Sequence, residues 1–376
     1  MDADFRGRRR VGRSYNGWVK ALERQGSHML PLVKSSLREH ARERLHRIPD
    51  TAGWTLLAVD GSKEELPRTR DHERVFGIAD NGISPQAFVT CIVEVRTGLP
   101  WDWRIGEARS GEKLHFLEMI PGLPDDALLL GDGAFVGFPI WSLLDRQNKR
   151  FLIRVGGNVH LITRLWPGLR VRIEDQTVWV WPQRIQEDEA PLKLRLIRVG
   201  RGAKAVYLVT NVLEPTRLPR KAAGEIYRLR WGVELFYRAL TPTFGFVKLR
   251  SKAARRARME MEWGLIAMTI ATLIGVDALL RRRINPDRLS PAQLLNVLRT
   301  SLRHSSSPKS PVQRLPSLYR DVAMCLKDRY RRRSKKSRAR RRTTNTPVHL
   351  LSPPILRPAT PSERQLAISL ANKNAA

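Results

Sequence analysis

The 376 residues carry 68 Lys and Arg against 36 Asp and Glu, a formal net charge of +32 that points to a polyanionic partner. A hydrophobic share of 42% is enough to fill a sizeable core and excludes disorder throughout, and this length allows about two or three domains. Two cysteines, Cys91 and Cys325, exclude a disulfide framework and a Cys-based zinc cluster, as expected of a reducing compartment.

The basic charge sits at the ends. Residues 1–50 hold 12 basic and 6 acidic side chains (+6), residues 277–376 hold 23 and 5 (+18), and the 226 residues between them hold 33 and 25 (+8). The chain opens Met-Asp-Ala-Asp without an early apolar stretch, so no secretory signal is expected. Its longest uncharged run, residues 263–276, has 14 residues where a spanning helix needs roughly 20. That run reads as a buried helix, and a soluble, cytoplasmic protein without a membrane partner is expected.

In chain order, the N-terminal stretch is helical in pattern. Trp18, Leu22, Leu30, Leu37 and Leu45 are spaced for helices, with Gly26 and Pro31 as breaks, and RGRRRVGR at 6–13 is a candidate phosphate-contact arm. From residue 54 the period changes. WTLLAV (54–59) is a continuous apolar run that suits a buried strand and ends in Asp60-Gly61-Ser62. QAFVTCIVEV (86–95) and LPWDWRIGE (99–107) read as a hairpin about Arg96-Thr97-Gly98. A helix over 112–120 follows, then a buried strand ALLLG (127–131) ending in Asp132-Gly133, a helix over 138–146 and a strand RFLIRV (150–155).

Two strands therefore deliver an aspartate at their C-terminal ends, where ligand sites gather in open α/β sheets. Asp-Gly is also an ordinary turn signal, but a matched pair on the two most apolar strands argues for a site. The competing acids are weaker: Asp125 and Asp126 precede their strand, while Glu64, Glu65, Asp71 and Asp80 read as a polar loop. Residues 156–222 are short β-like pieces. There Trp179 and Trp181 share a face, packing the insertion's own core in preference to stacking on bases.

GEIYRLRWGVELFYRAL (224–240) reads as one helix with Tyr227, Arg230 and Glu234 along one stripe. Alone, the Arg–Glu pair is an ordinary surface pair. With Asp60 and Asp132, three carboxylates could hold two Mg²⁺ ions about 3.5–4 Å apart, and Arg supplies a bidentate grip on phosphate. The 8 histidines have no metal-ligand spacing. Beyond, RYRRRSKKSRARRR (329–342), with TTNTPVHLLSPPILRPATP after it, reads as a solvated, disordered arm whose Arg331, Arg332, Arg333, Lys335 and Lys336 contact phosphate without reading sequence.

These residues resemble bacterial insertion-sequence DDE transposases of the subgroup with a Tyr-x2-Arg-x3-Glu-x6-Lys signature, matched by Tyr227, Arg230 and Glu234. LLAVDGS (56–62) resembles that family's first-aspartate strand and LLLGDGAF (129–136) its second, while RFLIRVGGN (150–158) and AVYLVTN (205–211) resemble its flanking strands. The resemblance spans roughly 50–275. It implies an α/β, ribonuclease H-like catalytic core with a mixed sheet, interrupted by a β-rich insertion. It implies cleavage and strand transfer at transposon ends, with Asp60, Asp132 and Glu234 as ligands of two Mg²⁺ ions (Mn²⁺ substituting) and Tyr227 and Arg230 on DNA phosphate. DNA is the implied partner, a homodimer the implied assembly on it, and the nucleoid the implied place of work.

The expected organisation is a basic helical segment (1–50), a first part of the core (51–155), the insertion (156–222), the remainder with the glutamate helix (223–280) and a basic, partly disordered C-terminal region (281–376). One position departs from the signature. Thr241 stands where the lysine belongs and Pro242 is expected to stop the helix, leaving Arg238 or Lys248 as substitutes. That departure keeps open an impaired or domesticated DNA-binding descendant, beside a nuclease on the same core.

Overall fold

The computed structural model describes residues 14–48, 53–79, 82–165, 175–181, 189–202, 205–244, 249, 251–303, 311–327 and 348–375. The expected basic arms, 6–13 and 329–342 with Arg331, Arg332, Arg333, Lys335 and Lys336, and also Lys248, lie outside these residues, as does the side chain of Thr241. In order come α1 (Tyr15–Leu45), β1 (Thr55–Glu65), α2 (Arg70–Phe76), β2 (Gln86–Glu94), β3 (Leu99–Glu107), α3 (Glu112–Met119), β4 (Ala127–Gly131), α4 (Phe138–Arg146) and β5 (Arg150–Val155). Then follow β6 (His160–Arg164), β7 (Asp175–Val180), β8 (Leu192–Val199), β9 (Val206–Thr210), α5 (Arg220–Leu229), α6 (Gly232–Phe244) and α7 (Ala254–Arg281). Last are α8 (Pro291–Arg303), α9 (Pro311–Val322), β10 (Ile355–Pro358) and α10 (Pro361–Ala375).

All described strands join one mixed sheet ordered β10-β6-β7-β8-β9-β5-β4-β1-β2-β3. Its half from β3 to β5 runs 3-2-1-4-5, with β2 antiparallel to both neighbours and β1, β4 and β5 parallel. That is the ribonuclease H-like arrangement. The central strand is buried on both faces, and its alternation explains why. Leu57 and Val59 enter a core with α1, α3 and α4, while Leu56 and Ala58 enter another with α5, α6 and the first half of α7.

Several elements differ from the sequence reading. β1 does not end at Asp60 but runs on to Glu65, because β2 continues to pair with it as far as Glu65↔Gln86. Glu64 is accordingly a buried strand residue, bonded by Ser62 Oγ at 3.0 Å, and burial raises its pKa. Asp71 caps α7 by accepting from Ala254 N at 2.7 Å. The single helix expected over 224–240 is broken at Arg230–Trp231 into α5 and α6. The break lets Gly232 sit against the Val95 carbonyl, where a Cβ would collide. Pro242 does not stop α6, which continues to Phe244.

The N-terminal helix is also continuous. α1 passes through Gly26 and Pro31 because it is docked just beyond them: Lys34 Nζ lies 2.7 Å from Asp102 and over the Trp103 ring, and Arg38 reaches the same carboxylate at 3.5 Å. The strands β6 to β9 extend the main sheet, with β9 antiparallel to β5. Trp179 and Trp181 are core residues, but the core is shared with α10 through Ala367 and Leu370. The stretch after the basic run, expected to be solvated, instead places β10 parallel to β6. α7 is the one described helix long and apolar enough to cross a membrane by composition, and 67% of that window is buried against the rest of the chain.

Candidate active site

Parallel pairing of β1 and β4 runs Thr55↔Ala127 to Ala58↔Leu130, so the register carried two residues further brings Asp60 beside Asp132. The two aspartates reach that seam differently. Asp60 is held within a strand, with Oδ1 accepting from Gly61 N at 2.9 Å. Asp132 caps a 3₁₀ turn (Gly133–Phe135), its Oδ1 accepting from Ala134 N at 2.8 Å. Glu234 comes from the first turn of α6, and its Oε1 accepts from Arg230 Nη2 at 2.8 Å.

Electrostatics tie these groups together. Burial pushes Asp60 up to about 6, and Asp132 and Glu234 add repulsion that Arg230 partly offsets. One oxygen of each carboxylate is held by a protein donor, and the other has no protein hydrogen bond among the described residues. Three hard oxygen donors and mutual repulsion fit a divalent cation. Among the described residues no trio of acids and histidines closes on an ion by itself. Waters and substrate phosphate commonly complete the coordination of such an ion.

The signature residues behave differently from one another. Tyr227 donates to the carbonyl of Gly131 at 3.2 Å, which ties α5 to the residue preceding Asp132, and burial raises its hydroxyl well above the ordinary value. Arg230, at the break between α5 and α6, pairs with Glu234 and is largely buried. Arg238 lies exposed one turn beyond Glu234.

Three further features of the site were not read from the sequence. Glu112, the first residue of α3, places Oε2 3.0 Å from where a Gly61 Cβ would stand, and burial with repulsion from Asp60 and Asp132 pushes it up to about 7. Tyr237 donates to the Asp60 carbonyl at 2.8 Å, and its spacing of three from Glu234 was the available signal. The turn Val348–Leu351 closes on the second aspartate. Leu350 Cδ2 lies 2.7 Å from where a Cβ on Gly133 would be, its carbonyl accepts from Arg154 at 3.0 Å, and the His349 carbonyl accepts from Gly157 N at 2.7 Å. No sequence pattern marks that contact, since about 200 residues separate its halves and each half alone is a turn.

Fold and site together define a ribonuclease H-like domain with a carboxylate site at the seam between its first and fourth strands. Residues 54–270, more than half of the chain, match the family described as Transposase DDE domain, and the chain belongs to that family. It is 26% identical over 230 residues to the transposase InsG for insertion sequence element IS4 of Escherichia coli (strain K12). That match covers 58% of this chain and 51% of the relative, so the matched part spans about half the relative's length. A fold comparison finds a likeness to piggyBac transposase in a synaptic complex with hairpin DNA, at 13% identity and TM-score 0.41, over 76% of this chain and 60% of that one.

Proposed function

We propose that this chain is a DNA transposase that binds the ends of its element and performs metal-dependent cleavage and strand transfer. The observation that carries the reading is the placing of Asp60 beside Asp132 by the β1–β4 register, with Glu234 brought to them by α6, inside a transposase family domain. Asp60, Asp132 and Glu234 would hold two Mg²⁺ ions, or Mn²⁺ in their place. Bound there, the ions supply positive charge to the attacking and leaving oxygens of phosphoryl transfer. Arg230 restrains Glu234 and offers its remaining donors to a phosphate, while Tyr227 fixes the strand end that carries Asp132. Arg238, Lys248 and the basic arm with Arg331, Arg332, Arg333, Lys335 and Lys336 complete the proposed phosphate contacts, whereas the Tyr227 proton is already given to Gly131, and two copies would assemble on paired DNA ends in the cytoplasm.

The test is a cleavage assay on linear DNA carrying the gene's flanking sequence, with Mg²⁺ or Mn²⁺ and Glu234→Gln as control. Nicking at a fixed position that depends on metal and disappears in the control is the expected result. A second reading, an impaired DNA-binding descendant, is favoured by Thr241 in place of the signature lysine. Binding without cutting in either metal would establish it.

A further inference from the structure

We infer that Tyr237 is a positioning residue of the metal site, its hydroxyl fastening the Glu234 helix to the backbone of Asp60 and so setting the spacing of the two carboxylates. The inference rests on the reading of Asp60 and Glu234 as metal ligands.

Asp60 and Cys91 are direct partners across β1 and β2. The Tyr237 hydroxyl spans that pair: it accepts from Cys91 N at 3.1 Å and donates to the Asp60 carbonyl at 2.8 Å, with the Val89 carbonyl at 3.0 Å as a second acceptor. A hydroxyl has one proton, so it serves one carbonyl at a time, and both lie on backbone that cannot follow a moving helix. The remaining contacts of this face of α6 come from Val233, Phe236 and Leu240, which are apolar and impose no direction. The hydroxyl is therefore a directional restraint between α6 and β1.

A second restraint stands at the other end of the same stretch. Gly232 abuts the Val95 carbonyl, leaving no room for a Cβ. Glu234 lies between the two, two residues after Gly232 and three before Tyr237. A helix fixed at both points can neither slide along β1 nor roll on it. Arg230, the one described residue bonded to the Glu234 carboxylate, belongs to the break before α6 and cannot provide this.

Loss of groups that orient metal ligands commonly costs about 10–100-fold in metal affinity. Ion choice separates positioning from general loosening, since Mg²⁺ demands near-ideal octahedral geometry and Ca²⁺ does not. The experiment titrates the full chain with Mg²⁺ and, separately, Ca²⁺, following the rise in melting temperature. It compares wild type, Tyr237→Phe, Glu234→Gln and Thr269→Val. Tyr237→Phe keeps the ring and its edge-to-face contact with Phe236 at 5.2 Å, so folding is retained. Thr269 is a buried hydroxyl that donates to Leu265 O at 2.8 Å within α7, and its loss controls for a missing hydrogen bond elsewhere.

Tyr237→Phe is expected to weaken Mg²⁺ binding by about 10-fold and Ca²⁺ binding distinctly less, with Thr269→Val binding both ions as wild type does. An unchanged Mg²⁺ affinity in Tyr237→Phe, an equal loss for both ions, or the same loss in Thr269→Val would overturn the inference while leaving the metal site intact. A wild type that responds to neither ion, or a Glu234→Gln variant that responds as wild type does, would overturn the metal-site reading and this inference with it.

Discussion

The two halves of the ten-stranded sheet treat buried acids in opposite ways. At the β1–β4 seam, Asp60 faces Asp132, Glu234 and Glu112, and is pushed up to about 6. At the far end, where β10 and α10 cover β6, Glu363 meets Arg357 at 2.6 Å and the Thr360 backbone N–H at 2.8 Å, and is pushed down to about 2. Burial raises Asp60 most and repulsion from Asp132 and Glu234 adds to it, whereas at Glu363 the Arg357 hydrogen bond outweighs burial. The difference lies in what faces them. The far end gives its acid a cation and donors, which stabilises the fold, whereas the seam gathers like charge with a single nearby arginine. Perturbed carboxylates cluster at functional sites, and the proposed metal site predicts this cost to the metal-free fold.

The largest effect that could break this contrast is at Asp60. Asp60→Asn is expected to reduce cleavage by about 10³-fold and yet raise the melting temperature of the metal-free protein at pH 8 by roughly 2 °C. The sign follows from linkage. The folded pKa of Asp60 lies above its unfolded value, so its favourable contribution is complete at low pH and lost as pH rises through about 6. Calorimetry between pH 5 and 8 in EDTA checks it, and a variant that melts lower across that whole range would end the contrast.

Next comes the opposite end. Arg357→Ala removes the cation from a buried carboxylate and should cost about 1–3 kcal/mol, read by urea unfolding at pH 7. The contribution of Glu363 is present above its unfolded pKa and fades as pH falls through about 2, so the deficit of this variant shrinks in strong acid. Metal response and cleavage should not follow it. The smallest effect is expected from Glu112→Gln, which should flatten the fall in melting temperature between pH 6 and 8, a change of roughly 1 °C. An unchanged slope would mean that Glu112 is not part of the repulsive cluster.

Much of this was legible in the residues. The runs holding Leu56–Leu57 and Leu128–Leu130 are apolar on both faces, which required strands covered on both sides, and their acids were visible at the ends. The hairpin about Gly98 announced itself because its φ of +72° suits glycine. The spacing of Tyr227, Arg230 and Glu234 singled out Glu234 as the third candidate without any structure. What was misread was decided by distant partners. Pro31 and Pro242 looked like stops, yet α1 runs on because Lys34 and Arg38 dock it to β3, and α6 runs on to Phe244. The Arg230–Trp231 break looked like continuous helix, because the carbonyl that Gly232 must approach is that of Val95, just beyond the end of β2.

The sequence by itself therefore determined the strands of the core, singled out the three candidate carboxylates and put the basic charge at the ends, since apolar periodicity, charge and motif spacing are local properties of a chain. Only the tertiary structure decided how those carboxylates are held. Glu112 is brought to Gly61 by the packing of α3, Tyr237 reaches Asp60 through the seating of α6, and Leu350 meets Gly133 from the far end of the chain. Each is a contact between residues without a shared period or motif, and such contacts are set by shape and register once the core has closed.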